Sequence, residues 1–504
     1  MKKIKKSIGI LLCLFFLFGT ISPVFAADEA SDKITRISCT VNGNASTERG
    51  FCWYTKEKSD SKIAIFKDGV DITDSLDITI KKTEKWKDEY VHKVNVGSLE
   101  PGTAYTYKVS SGGYFGKEGS FTTDGLDNDL DFIVVADVQA KKSEDFKKGA
   151  DALAKAYDIM PNPDFICNLG DFTDDSNNEQ WDYYFENFEQ FNLNTTLVPV
   201  AGNHDGLLKW DWFNKMFNLD ASESVQNLNG INYSFDYANA HFVILNTNDE
   251  LCVSVTQLKW LESDLKSTDK DWKIVFMHKS PFTLGKDGRL PDAQYLQTAL
   301  PPVFDRCGVD IVFSGHDHMY LRTKKLKNGE IDESGTTYVL SGTLGRKRYN
   351  IRTYLAGTYL NTDHIANLTI QHSDANYWNG FDWNSYNLNN IGSCFNCVSI
   401  NDDKLTLNSY IYRDKFTESQ IGLHDLTAEQ IEELNDEDLV IIIDSLTITK
   451  RENTIDSNGS YEYDPSVISY VVNFIPSFLK LAKFAFATWL PNFIVDTLHG
   501  KTYY

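Results

Sequence analysis

The chain has 504 residues, 42% of them hydrophobic and 24% charged, which fits a globular protein with room for two or three domains. Its formal charge is −22, or −26 once the four lysines of the N-terminal segment are discounted. So acidic a surface argues against nucleic-acid and anionic-membrane partners, and salt screens its repulsion of anionic substrates beyond roughly 10 Å.

Residues 1–26 read as a signal peptide. Lys2, Lys3, Lys5 and Lys6 precede an apolar run from Ile8 to Phe18, and Val24-Phe25-Ala26 supplies a small-residue cleavage site. The run is short for a membrane span, and Leu12 before Cys13 spoils a lipoprotein box. Export and release are expected, with the mature protein secreted or at the cell surface.

Residues 31–124 read as an all-β domain. ITRISCTV, GFCWYTK, KIAIFKDG, YVHKVNVG, TAYTYKVSS and GKEGSFTT alternate apolar with polar residues between Gly, Asp, Asn or Lys turns. LEPGTAYTYKV resembles the hallmark segment of fibronectin type III-like sandwiches, and no ionisable cluster marks this stretch as catalytic. Seven cysteines follow the signal. Cys39 and Cys52, in adjacent strands, are placed to pair. Cys394 and Cys397 form a CxxC that reads as readily as a small disulfide as a metal site, with no second CxxC to complete one. Cys167, Cys252 and Cys307 read as core residues.

DGLDND is the linker, and a second domain is expected over 130–450. Its chemistry lies at strand ends. DFIVVAD ends in Asp137, DFICNLGD in Asp171, LVPVAGNHD in Asn203, His204 and Asp205, KIVFMH in His278, and DIVFSGHDH in His316 and His318. Each is a short apolar, mostly β-branched or aromatic run followed by a carboxylate, amide or imidazole, at the strand edge where α/β sheets hold ligands. Mixed imidazole and carboxylate donors suit zinc, iron or manganese. Six donors exceed one tetrahedral zinc and match two ions sharing a bridging carboxylate. Between these runs, Phe146, Ala150, Leu153, Ala154 and Tyr157 keep helical spacing behind Ser143. Trp181, Tyr184, Phe185 and Phe188 do likewise, and so do Leu258, Leu261 and Leu265 after Thr256. His241 opens a strand and reads as structural.

In this order, AD(V)Q, LGD, GNHD, FMH and GHDH resemble the calcineurin-like metallophosphoesterases. INYSFDYANAHFVILNTN, QLKWLESDL, HKSPF and VDIVFSGHDHMYLRT resemble the purple-acid-phosphatase-like branch, whose members can carry a fibronectin type III-like N-terminal domain. The resemblance covers about Ile34 to Lys450. It implies an α+β fold: an N-terminal β-sandwich, then two packed mixed sheets flanked by helices, with the site at their shared edge. It also implies one metal on Asp137, Asp171 and His318, and a second on Asp171, Asn203, His278 and His316. Two divalent or mixed-valence ions, iron, zinc or manganese, would clamp the phosphoryl oxygens and generate a hydroxide nucleophile. His204 would stabilise those oxygens or protonate the leaving group, with Asp205 orienting its ring.

Two residues depart from the family pattern. Gln139 stands where many relatives have a histidine, and it would ligate weakly, hold a water or only hydrogen-bond. Asp174 stands where purple acid phosphatases have a tyrosine, either as a compensating ligand or facing solvent. Without that phenolate the protein is expected not to be purple.

After His318, Arg346, Lys347, Arg348 and Arg352 read as a solvated turn or a clamp for a remote phosphate. Residues 361–391, rich in Asn, Trp and Tyr, read as an inserted loop near the cleft. Thr427 and Gln430 are spaced as a capping box, and DLVIIIDSLTITK returns to strand. Residues 451–504 lie outside the resemblance. Their apolar part, broken by Pro476, Lys480, Lys483 and Pro491, reads as an amphipathic helix packed on the protein, or as a membrane-surface or partner contact through 466–495. The expected partner is a small phosphorylated substrate. The leading expectation is an exported phosphomonoesterase; the alternatives are a phosphodiesterase or nucleotide hydrolase with the same site, and an inactive surface-binding module.

Overall fold

The computed structural model describes residues 32–125, 127–205, 212–225, 230–248, 252–284, 290–347, 362–367, 392–413, 427–433, 435 and 439–450. The signal segment, Arg348, Arg352, most of the 361–391 loop and the whole C-terminal extension lie outside them.

The N-terminal part is built from β1 (Ile34–Thr40), β2 (Arg49–Thr55), β3 (Lys62–Lys67), β4 (Val70–Asp71), β5 (Asp77–Trp86), β6 (Glu89–Gly97), β7 (Ala104–Ser111), β8 (Tyr114–Phe115) and β9 (Gly119–Thr122). Two layers enclose a core of Phe51, Trp53, Ile65, Val94 and Tyr107. One layer is the sheet β4-β3-β7-β8 with β9 on β7. The other is no separate sheet. β1 pairs in parallel with β12 (Thr196–Pro199) through Thr40 and Leu197, so β1, β2, β6 and β5 extend a sheet of the second domain.

That sheet has ten strands in the order β24-β23-β22-β10-β11-β12-β1-β2-β6-β5. Besides β12 it contains β10 (Asp129–Val135), β11 (Phe165–Asn168), β22 (Ser393–Asn401), β23 (Lys404–Tyr412) and β24 (Val440–Thr449). Facing it is a seven-stranded mixed sheet, β13-β14-β15-β16-β20-β17-β21. Its strands are β13 (Tyr233–Tyr237), β14 (Ala240–Leu245), β15 (Trp272–Met277), β16 (Ile311–Ser314), β17 (Tyr320–Thr323), β20 (Thr337–Ser341) and β21 (Ile365–Asn367), with a small hairpin of β18 (Leu326–Lys327) and β19 (Glu330–Ile331) beside it. Phe132 and Phe165 of the first sheet meet Phe242 of the second edge-on, at 5.6 and 5.3 Å between ring centres.

Helices cover both outer faces, which is why the central strands are apolar throughout rather than alternating. α1 (Ser143–Ile159), α2 (Asn178–Asn187) and α3 (Glu189–Asn194) lie on the first sheet. They bury Phe146, Leu153, Trp181, Tyr184 and Phe185. After the short α4 (Trp212–Met216), α5 (Val255–Ser267) buries Leu258, Leu261 and Leu265, and α6 (Leu290–Ala299) and α7 (Pro301–Cys307) complete that cluster. Two caps differ from expectation. Ser143 is the first helical residue rather than the cap, and Ser254, not Thr256, caps α5 by accepting from Gln257 N. The capping box ahead of α8 (Ala428–Glu433) is present: Thr427 N donates to Gln430 Oε1 at 2.7 Å, and Gln430 N donates to Thr427 Oγ1 at 3.3 Å.

The cysteine pairings are corrected. Cys52 registers with Ser38, not Cys39, and the two thiols enter different cores. Cys394 and Cys397 share the extended strand β22, where three residues span roughly 10 Å, beyond disulfide reach. All seven described cysteines are buried and none is in a disulfide. Among the described residues no helix is long and apolar enough to cross a membrane.

Candidate metal centre

The parallel strands β10, β11, β12, β15 and β16 all stop at one edge of the sandwich. One to four residues beyond their last strand residues come Asp137, Asp171, Asn203, His278, His316 and His318. The side chains converge in two overlapping groups. Asp137, Asp171 and His318 form one and Asp171, His278 and His316 the other, every group buried with its donor atoms within 4.8 Å of one another. Asp171 belongs to both. Asn203 joins the second group, its Oδ1 lying 3.1 Å from His278 Nε2.

The backbone is strained to achieve this. Asp137, Gln139, Asp171, His316 and His318 all have positive φ, between 36° and 74°. Non-glycine residues hold such conformations only where surrounding structure enforces them, and such positions cluster at functional sites. Close approach matters equally: a Cβ on Gly202 would fall 2.2 Å from Asp171 Oδ1.

Each donor is oriented from behind. His278 Nδ1 donates to Leu169 O at 2.8 Å and His318 Nδ1 to Lys347 O at 2.6 Å, which leaves both Nε2 atoms for the centre. Asp137 accepts from His316 N at 2.8 Å. Asp171 Oδ1 accepts from His204 N at 2.8 Å, while its buried Oδ2 accepts no hydrogen bond and lies 3.2 Å from His278 Nε2. Burial opposes ionisation of Asp171, but the facing His278 and His204 hold it well below the usual carboxylate range. Burial likewise opposes a charged His278, and Asp171 outweighs it, pushing that imidazole up to about 9. Two fully buried carboxylates this close require positive charge between them, and neutral imidazole and carboxylate oxygens are the donors a transition metal takes. The residues fit a pair of cations sharing Asp171.

His204 sits beside the groups with its side chain 27% exposed. Asp205 does not orient it. The buried Asp205 carboxylate instead accepts from Asp171 N, Phe172 N and Gly202 N at 2.7, 2.9 and 3.0 Å, tying two site loops together. Burial, with Asp171 nearby, pushes Asp205 up to about 7. The ring of His204 is held by Asp174: Nδ1 donates to its carbonyl at 2.5 Å, with Oδ1 at 3.7 Å. The Asp174 carboxylate neither faces solvent nor enters the metal groups, but pairs with Lys141 at 2.8 Å and Lys347 at 3.1 Å. Gln139 is buried, and neither of its side-chain polar atoms makes a hydrogen bond. Arg346 pairs with Asp145 at 3.0 Å while its side chain stays 45% exposed. His241 lies away from the centre, between Asp236 at 2.7 Å and Asp264 at 2.9 Å. One contributor escaped sequence reading: Asn248 Nδ2 donates to Ala201 O and Gly202 O, both at 3.0 Å, and so sets the loop carrying Asn203. Its NTND context was visible, but not what it touches.

A two-sheet sandwich with such a centre at its strand ends defines a metallophosphoesterase-type domain. Residues 130–320 match the calcineurin-like phosphoesterase family, and residues 34–123 match the purple acid phosphatase N-terminal domain. The chain thus carries a calcineurin-like phosphoesterase domain behind a purple acid phosphatase N-terminal domain, a family that implies a binuclear metal centre. Among curated relatives, purple acid phosphatase 21 of Arabidopsis thaliana is 27% identical over 270 residues, 51% of this chain and 59% of that protein. Purple acid phosphatase 18 of the same plant is 26% identical over 275 residues, 52% of this chain and 60% of that protein. The matches thus span about three fifths of the length of those relatives. Among solved structures, one titled "Structure of PhoD" superposes with a TM-score of 0.55 at 12% identity, covering 90% of this chain and 99% of that one, a likeness of fold alone.

Proposed function

We propose that the chain is an exported phosphoesterase that hydrolyses phosphate monoesters at a two-metal centre. One observation carries the reading: six donors from five strand ends converge on two groups that share Asp171, with His204 alongside. Asp137, Asp171 and His318 would hold one ion, and Asp171, Asn203, His278 and His316 the other. When bound, the ions supply Lewis-acid clamping of the phosphoryl group and a water activated near neutral pH. The donor set suits iron, zinc or manganese, and with Asp174 in the tyrosine position no purple colour is expected. Export is supported by the lysine-rich and apolar N-terminal segment.

The chain's own residues account for the remaining chemistry. With Nδ1–H committed to the Asp174 carbonyl, His204 in its imidazolium form presents Nε2–H to the substrate, gives that proton to the departing alkoxide and is left as the neutral Nδ1–H tautomer. Asp205 keeps the loops of Asp171 and Gly202 in register.

Metal-loaded full-length protein assayed on p-nitrophenyl phosphate and on bis(p-nitrophenyl) phosphate tests the proposal. Faster turnover of the monoester is expected. A strong preference for the diester would replace the monoesterase reading with a diesterase one, and no turnover of either would leave a binding module.

A further inference from the structure

The turn that follows β20 threads the edge of the centre and is fastened at several points. Thr343 Oγ1 donates to Asp137 O at 2.7 Å and Gly345 N to the same carbonyl at 3.2 Å. A Cβ on Gly345 would stand 2.0 Å from Val138 O, so the turn lies flat against the Asp137 loop. Arg346 is tied to Asp145 of α1. Lys347 then touches both halves of the site: its carbonyl accepts from the metal-facing His318, and its ammonium meets Asp174 Oδ1 at 3.1 Å.

That oxygen is the one 3.7 Å from His204 Nδ1, outside hydrogen-bond range, while the Asp174 carbonyl is within it. Two acceptors of one residue therefore compete for a single imidazole N–H, and a carboxylate is the stronger of the two. Lys347 on Oδ1 and Lys141 on Oδ2 restrain the carboxylate, leaving the ring to the carbonyl.

We propose that Lys347 is a positioning residue for the proton donor. By holding Asp174 it fixes the angle at which His204 meets the leaving group, and its carbonyl on His318 keys that angle to the metal half of the site. The inference rests on the phosphoesterase reading for its kinetic consequence but not for its geometric one.

Lys347→Met keeps the carbonyl to His318 and removes the ammonium. In metal-loaded full-length protein we expect metal content to be unchanged. Turnover of an alkyl phosphate such as β-glycerophosphate, whose leaving group needs a proton, should fall about 10–100-fold, the range typical of lost supporting contacts. Turnover of p-nitrophenyl phosphate, whose leaving group needs none, should stay within about threefold, and Lys347→Arg should recover most of the loss. Equal losses on both substrates, or no loss on either, overturn the proposal. Nitrogen-15 NMR of the His204 ring reads the geometry without turnover. A change of tautomer balance in Lys347→Met supports the proposal even if the wild type hydrolyses nothing, and an unchanged spectrum overturns it. Lys141→Met, which frees the other carboxylate oxygen, should move the same resonance in the same direction.

Discussion

Asp171 carries two roles on two oxygens. One fixes the His204 backbone, and the other lies with the imidazole of His278 where the two donor groups overlap. Asp171→Asn removes the charge common to both groups and nearly nothing else. Metal content should fall from two ions per chain to one or fewer by elemental analysis, with activity lost in proportion or beyond. The residues that converge at the centre were legible because each chemistry-bearing type stands directly after a buried strand, a pattern local in sequence. Their supports were not. Asp174, Asn248 and Lys347 act through a carbonyl or an amide aimed at a neighbour that is remote in sequence, and no spacing rule encodes such a contact. Asp205 shows the converse: the family resemblance gave it the ring of His204 to orient, while the turn points its carboxylate backwards onto three N–H groups.

Two histidines in different sheets should give opposite pH signatures. His241, at the start of β14, bridges Asp236 of β13 and Asp264 of α5. Burial opposes its charge, but the two carboxylates push it up to about 9. Its folded pKa lies above the unfolded value of about 6.5, so its contribution is complete below that pH and is lost as pH rises through about 9. His92 of β6 stacks on Trp53 at 5.3 Å and meets only the hydroxyls of Thr55 and Ser61. Burial pushes it down to about 4. The unfolded chain then binds its proton first, so stability falls as pH drops from about 6.5 towards 4. Urea unfolding against pH should show both slopes, with His241→Gln flattening the alkaline limb and His92→Gln the acidic one. An alkaline limb that persists in His241→Gln would refute the first assignment. At this scale most strands and the long helices were readable from periodicity. Among the strands not read were β20, β22 and β23, and β5, whose lysine-rich text hides an edge strand with Ile80 exposed.

For the whole molecule, the feature the sequence did not show is that one sheet runs across the junction between the two domains. DGLDND reads as a linker, and the Ile34–Thr40 run gave no sign that it would pair with Leu197 far along the chain. Arg36 of β1 reinforces the seam: it reaches the buried Glu89 of β6 at 3.1 Å and, across the junction, the partly exposed Asp182 of α2 at 2.7 Å. Arg36→Ala leaves Glu89 buried with Lys56 as its remaining cation and should cost roughly 3–5 kcal/mol in urea unfolding. Unchanged stability would mean that the other contacts across the junction, β1 on β12 and Tyr107 Oη on Leu193 O among them, hold the two parts without Arg36. Deleting residues 1–125 should bare the β12 edge and yield aggregates by size-exclusion chromatography rather than an isolated phosphoesterase domain.

The continuous sheet also fixes an order of events during synthesis. Its central strand β10 is flanked on one side by β11, made soon afterwards, and on the other by β22, made more than 250 residues later. The polypeptide must therefore be made as far as Asn401 before that strand is enclosed. On the export proposed above, a chain that stays incomplete this long would suit crossing a translocation pore as a thread, with its strand-end centre assembling only on the far side.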